Sequence, residues 1–213
     1  MESTTWSEIT SEAELRELLG TPIQRVAEKV RPELTALDRQ WLATSPLCVV
    51  ATSDARGRLD ASPKGDPAGH LIHVLDERTI ALAERPGNRR ADGFLNVLEN
   101  PHVGLLFLVP GRGDTLRVNG RARLVREAPF LDEMVVKGRR PVMAMVVEVE
   151  EVLFHCSKAF VRSALWQPET WQPDALPSRA QIAKDLERPE TPLEELEEYY
   201  GPSYARDENL YGA

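Results

Sequence analysis

Thr79-Ile80-Ala81-Leu82-Ala83-Glu84 leads into Arg85-Pro86-Gly87-Asn88-Arg89-Arg90, and the run from Ala91 to Glu99 follows. The first segment suits a strand, and the last places Phe94, Leu95 and Leu98 on one helical face. Between them lies a turn ending in two adjacent guanidiniums. Strand, basic turn and helix start make an anion-site geometry, because paired Arg forks and backbone N–H groups converge on one place.

Working outward, the segments on both sides read as further strands. Cys48 to Thr52 and Leu59 to Ser62 flank Asp54-Ala55-Arg56-Gly57, a hairpin with a Gly-containing turn. Others fall at His70 to Leu75, Val103 to Val109, Thr115 to Val125 and Val142 to Phe154. Repeated strands with tight turns and a single helix after the basic turn predict a small antiparallel barrel rather than a βαβ array. The N-terminal quarter is helical in pattern, with helices over 11–20, 22–30 and 32–43, the first opened by Ser11 with Glu14 three residues on. A helix is also expected at Ala128 to Lys137, where Phe130, Leu131 and Met134 recur at helical spacing. Past Trp171 the chain turns Pro-rich and acidic, with short helices expected at Gln181 to Leu186 and Leu193 to Tyr200. The organisation predicted is an N-terminal helical extension packed on the barrel over 1–43, a barrel domain over 44–170 and a C-terminal extension over 171–213. The fold class is β-rich α+β.

At 213 residues and 42% hydrophobic, the chain can bury one full core with length to spare. A formal charge of -8 argues against a nucleic-acid partner, since no basic excess is there to replace phosphate counterions. A small anion stays possible where Arg and Lys cluster in one cleft. Cys48 and Cys156 have no second thiol nearby in sequence, which fits a reducing compartment. The first residues lack the basic flank and apolar core of a signal peptide, and no apolar run nears the roughly 20 residues of a membrane span. A cytoplasmic soluble protein is expected.

Four blocks in order carry a resemblance: Ala61-Ser62-Pro63-Lys64-Gly65-Asp66, the basic turn, Asn100-Pro101-His102-Val103-Gly104-Leu105-Leu106-Phe107, and Thr115-Leu116-Arg117-Val118-Asn119-Gly120. Together they resemble the pyridoxamine 5'-phosphate oxidase-like flavoproteins over roughly residues 35 to 170. The resemblance implies an FMN-binding split β-barrel that acts as a homodimeric oxidoreductase. It assigns Ser62, Pro63, Lys64 and Gly65 to the ribityl chain and ring edge, and Asn88, Arg89 and Arg90 to the flavin phosphate. Ala83 and Glu84 would run beneath the ring, where the acid of Glu84 departs from the small polar residue expected. Thr115 matches a ring-edge position, and Arg117 shares its strand face. Lys158 and Arg162, four apart on a helix start, and Trp166 would complete the site, as late-chain residues do across a dimer interface in such proteins. A non-catalytic flavin sensor or carrier, or the same fold holding deazaflavin or haem, are the alternatives. The tail shows no substrate-phosphate residues, so oxidation of pyridoxamine phosphate itself is not expected.

Other chemistries find little footing. His70 and His73 point to opposite faces of a strand and cannot share a metal. No Walker motif, Gly-x-Gly-x-x-Gly or Gly-x-Ser-x-Gly elbow is present. No residue stands out as a catalytic base.

Overall fold

The computed structural model describes residues 6–212. Two compact units divide between Val30 and Arg31. The first holds α1 (Glu12–Leu19) and α2 (Gln24–Ala27). Ser11 caps α1 by accepting a hydrogen bond from the Glu14 amide, and Gly20 ends it with φ at 71°. The helix expected over 22–30 shrinks to a single turn. Ile23 and Val26 stay exposed, so no packing supports further turns.

In the second unit, α3 (Ala36–Thr44) opens on a reciprocal capping box between Thr35 and Asp38. Asp38 is fully buried, and Arg31 Nη2 donates to its Oδ1 at 2.9 Å. Burial alone would push this carboxyl up, but donors from Arg31 and Thr35 hold it below the ordinary carboxylate range.

The strands are β1 (Leu47–Ser53), β2 (Leu59–Gly65), β3 (Ile72–Val74), β4 (Thr79–Ala83), β5 (His102–Leu108), β6 (Thr115–Val125) and β7 (Ala144–His155), with α4 (Asp92–Glu99) between β4 and β5. They form one antiparallel sheet in the order β2-β1-β5-β6-β7-β4-β3. The ladder does not close, so the barrel expected from the sequence is split. Pro63, which has no N–H to give a ladder, lies on the edge strand β2.

Register fixes which side chains meet. Lys64, Cys48, Phe107, Leu116 and Phe154 pair in one row across five strands. Cys48, Phe107 and Leu116 are fully buried, so this row faces the core. The adjacent row, Pro63, Val49, Leu106, Arg117 and Leu153, faces the other way. A bulge at Glu150 of β7, opposite Asn119 and Gly120, bends β7 against β6. Gly120 is required there, because a Cβ would stand 2.0 Å from the Glu148 carbonyl oxygen.

The helix expected over 128–137 is absent. Pro129–Asp132 makes one 3-10 turn, and Lys137 and Gly138, both at positive φ, reverse the chain so that Val136 bridges Arg139. Leu131 and Met134 still pack, against the small residues Ala81, Ala83 and Ala144 of β4 and β7. On α4 the buried side is Val97 with half-buried Phe94, whereas Leu95 and Leu98 are exposed.

The C-terminal extension has a small core of its own. After α5 (Lys158–Arg162), helices α6 (Arg179–Leu186) and α7 (Leu193–Tyr199) bury Ala180, Ala183 and Leu196 together. Tyr199, Tyr200 and Tyr204 pack ring to ring, and Arg179 lies 4.8 Å from the Tyr200 centroid. A last turn, α8 (Asp207–Tyr211), follows. Among the described residues no helix is long and apolar enough to cross a membrane.

Replacing Asp38 by Ala is expected to destabilise the fold by about 2 kcal/mol at neutral pH, through loss of the cap and stranding of Arg31. Because the folded carboxyl is held low, this contribution is fully present above the ordinary carboxylate range and is lost as pH falls through the depressed value. Denaturant melts of both proteins at neutral and acidic pH check this, and the gap between them should narrow at the acidic end.

Candidate functional site

Where the barrel fails to close, the C-terminal ends of β2 and β4 face one another across a cleft of about 840 Å³. That volume suits a ligand of drug or cofactor size. One side is strand β2. Its inward positions Asp60, Ser62 and Lys64 alternate with outward Ala61 and Pro63, and Ser62 Oγ donates to Asp60 Oδ2 at 2.7 Å. The facing side is the end of β4, where Ala83 and Glu84 lead into the basic turn.

Two ion pairs join the sides. Lys64 Nζ meets Glu84 Oε2 at 2.5 Å and lies 4.7 Å from the Phe94 ring centroid. Arg85 Nε meets Asp66 Oδ2 at 2.8 Å, with the Asp66 side chain 1% exposed. Arg85 also donates to the carbonyl oxygens of Met134 at 2.8 Å and Arg139 at 3.4 Å. It therefore ties three segments together, with each of its nitrogens engaged. Burial, opposed by Arg85, leaves the Asp66 carboxyl above its ordinary value.

The basic turn is shaped by backbone that few side chains adopt. Arg89 and Ala91 both have positive φ, at 62° and 59°. Such conformations cost about 1 kcal/mol or more each and concentrate at ligand sites. The Asn88 side chain holds the turn by accepting from the Arg90 amide at 3.0 Å. Arg90 Nε is engaged by Asp92 Oδ2 at 2.7 Å, while the Arg89 guanidinium is exposed and has no partner among the described residues. Close approach of α4 to β2 relies on Gly93, whose Cβ would stand 2.9 Å from Asp60 Oδ2. Four cations, Lys64, Arg85, Arg89 and Arg90, line the cleft against Asp60, Glu84 and Asp92. With Asp66 behind Arg85, four acids balance these four cations, and Arg89 is the cation left without a partner among the described residues.

Of the residues singled out from the sequence, Ser62, Pro63, Lys64, Gly65, Ala83, Glu84, Asn88, Arg89 and Arg90 meet in this cleft. Thr115 and Arg117 do not. They lie on the outward face of the sheet, three strands from β2, while Ser62 and Lys64 face inward. Thr115 is buried, and Arg117 Nε is buried without a hydrogen-bond partner. Lys158, Arg162 and Trp166 also lie outside the cleft. Trp166 Nε1 donates to the Arg112 carbonyl at 2.6 Å and its ring stacks on Phe160, which sets this block against the β5–β6 turn. Within one chain the two groups of residues stay apart.

Three parts of the cleft went unread in the sequence. The Asp66–Arg85 tie had a signal, since Asp66 closes the Ser62 block and Arg85 opens the basic turn. Val142 and Met145 form an apolar wall reached only through sheet topology, and Leu210 and Tyr211 arrive from the far end of the chain. A second depression, of about 520 Å³, is lined by Thr79 and otherwise by charged residues such as Glu33, Asp76 and Arg123, without an apolar wall.

Replacing Arg85 by Met leaves Asp66 buried without its cation and should cost roughly 3 to 5 kcal/mol of stability at neutral pH. The Asp66 carboxyl already sits above its ordinary value, and removing Arg85 raises it further. The penalty is therefore largest above that raised value and shrinks as pH falls through it, a trend that thermal melts across the acidic range will show.

A sequence model described as pyridoxamine 5'-phosphate oxidase matches residues 34–156. No curated protein matches the chain. Among solved structures, HupZ from Group A Streptococcus is 21% identical over 56% of this chain and 91% of its own, with a TM-score of 0.45. A Clostridium acetobutylicum protein related to general stress protein 26, of the pyridoxinephosphate oxidase family, is 14% identical over 56% of this chain and 85% of its own, at 0.42. PhzG from Burkholderia lata 383, in complex with tetrahydrophenazine-1-carboxylic acid, is 14% identical over 63% of this chain and 84% of its own, at 0.40. The matched segment runs from the start of α3 to the end of β7, takes in the open seven-stranded sheet and both walls of the cleft around β2 and the basic turn, and covers more than half of the sequence: the chain belongs to the pyridoxamine 5'-phosphate oxidase family.

Proposed function

We propose that this protein binds flavin mononucleotide in the cleft between β2 and β4 and serves as a homodimeric, flavin-dependent oxidoreductase acting on a small substrate. The observation that carries the reading is the meeting of Ser62–Gly65 with Asn88–Arg90 in one cleft, with Arg89 unpartnered among the described residues. The donor set fits a phosphorylated flavin. Arg89 offers a fork for phosphate oxygens, Lys64 offers donors and the Ser62 hydroxyl an acceptor along a polyol chain and ring edge, and Val142 and Met145 give an apolar wall. Flavin, when bound, supplies hydride or electron transfer, and the protein's part is to hold and tune it.

Glu84 fits this reading once its partner is known. An acid beneath the ring would oppose negative charge there, but Lys64 pairs with it directly, so the couple adds no net charge. Arg90 must leave Asp92, or share it, to reach the same phosphate as Arg89. The two arginines are therefore unequal.

The homodimer is supported by the outward sheet face. Leu47, Val49, Leu106 and Leu108 form an apolar strip beside Arg117, and the orphaned Arg117 Nε needs an acceptor that the described residues of one chain do not give. No histidine among the described residues lines the cleft, which favours flavin over haem with an axial imidazole.

The protein should bind flavin mononucleotide in a fluorescence titration. Arg89→Ala should weaken it by about one to two orders of magnitude and leave riboflavin unchanged, since the lost fork faces the phosphate. Arg90→Ala should cost less. Equal loss of both ligands in a folded Arg89 variant would remove the basic turn as the phosphate site.

Light scattering should report a dimer, and Leu106→Asp should give a folded monomer that holds flavin mononucleotide more weakly. A Leu106→Asp protein that remains dimeric would move the interface elsewhere.

A further inference from the structure

One wall of the cleft comes from a part of the chain that lies outside the matched family segment. Leu210 and Tyr211 line the cleft although they follow β7 by more than fifty residues. Their placement is built from both sides. Upstream, the aromatic cluster of Tyr199, Tyr200 and Tyr204 fixes the end of α7 and the turn after it, and Asn209 Nδ2 donates to the Ser203 carbonyl at 2.8 Å. On the cleft side, the Tyr211 ring lies 5.7 Å from the Arg85 guanidinium, and a Cβ added at Gly212 would stand 3.3 Å from Pro86 Cγ. Asp207 stands 3.9 Å from Lys137. Helix α8 therefore rests on Arg85 and Pro86, the residues that open the basic turn.

The chemistry of this seat separates holding from binding. Each nitrogen of Arg85 donates once, to Asp66, Met134 or Arg139, which holds the guanidinium in place beneath the Tyr211 ring, and an aromatic ring is what a cation's face accepts. Tyr211 is half-buried, so part of its ring remains open to the cleft that it lines. An amphipathic ring positioned by a rigid cation suits a planar ligand, because it gives apolar area with little rotamer entropy to lose. Helix α8 is one short turn that forms no part of the sheet, and its contacts with the cleft side are the Arg85 face, Pro86 and one long ion pair to Lys137.

Resting on the flavin mononucleotide reading, we infer that Tyr211 is a further binding residue of this cleft: its ring covers the bound flavin beside the basic turn, and α8 must lift for the ligand to leave. Tyr211 thereby sets residence time more than phosphate selectivity, which belongs to Arg89.

The test uses full-length protein with flavin mononucleotide as the probe. The dissociation rate is read by the return of free-flavin fluorescence after large dilution into ligand-free buffer, and access to the bound flavin is read by iodide quenching. Tyr211→Ala should release the ligand about tenfold faster and open it to iodide, while Tyr211→Phe, which keeps the ring, should stay within about twofold of the parent. Riboflavin release should quicken by the same factor, because the ring and not the phosphate is covered. If Tyr211→Ala does not fold, Tyr211→Leu replaces it with the same expected acceleration. A folded Ala or Leu variant with unchanged release and quenching overturns the inference and leaves the proposed function standing. Equal acceleration by the Ala and Phe variants overturns it too, since the hydroxyl and not the ring would then be responsible. A parent protein that binds no flavin mononucleotide overturns the proposed function, and this inference falls with it.

Discussion

The constraint on which this structure depends is the seam of an unclosed barrel. Backbone hydrogen bonds carry the sheet from β2 to β3 and then stop, so the open side has no ladder to bridge it. Lys64 with Glu84 and Asp66 with Arg85 bridge it instead, each pair spanning from the end of β2 to the end of β4, the strand next to the far edge. Side-chain ties of this kind leave a gap that a ladder would fill, and the gap is the cleft. Because Arg85 also grips the Met134 and Arg139 carbonyls, the same tie fixes the reversed segment that covers the outer side of β4 and β7. The site is thus a consequence of how the fold ends, and its charges are first of all structural.

That double duty explains the unequal standing of the four cations. Arg85 is consumed by the fold, Lys64 is shared between Glu84 and the cleft, and Arg90 is held by Asp92. Arg89 alone of the four has no partner among the described residues, and it stands on backbone in the left-handed region. A long cationic side chain that the protein neither pairs nor buries, yet places at some conformational cost, is the kind of group that a ligand anion would engage. Removing it would leave three cations against four acids, Asp60, Asp66, Glu84 and Asp92.

Much of the sheet was legible in the sequence because period-two alternation survives wherever one face is buried. Ser11 marks a helix start, and the blocks around Lys64 and Arg89 stand in the expected order. The misreadings have a common physical source. Phe130, Leu131 and Met134 pack inward as helical spacing suggests, but three small alanines let a 3-10 turn do the packing, and local backbone reversal at Lys137 and Gly138 ends it. Leu95 and Leu98 share a helical stripe with Phe94, yet α4 turns its Val97 side to the sheet. Periodicity reports that a face exists; it does not say which neighbour comes close enough to bury it.

The residues that stayed apart teach a different limit. A strand's two faces are as separate as two surfaces of a wall, and Thr115 and Arg117 fall on the face opposite Lys64 by a single step in register. Order along the chain groups them with the cleft, whereas the pleat divides them from it. Motif order is inherited by a family as a unit, but it carries no record of which copy supplies which side chain. If both groups serve one ligand, the outward strip of Leu47, Val49, Leu106 and Leu108 must meet another such surface, and the buried, unpaired Nε of Arg117 is where the cost of leaving that face alone is highest.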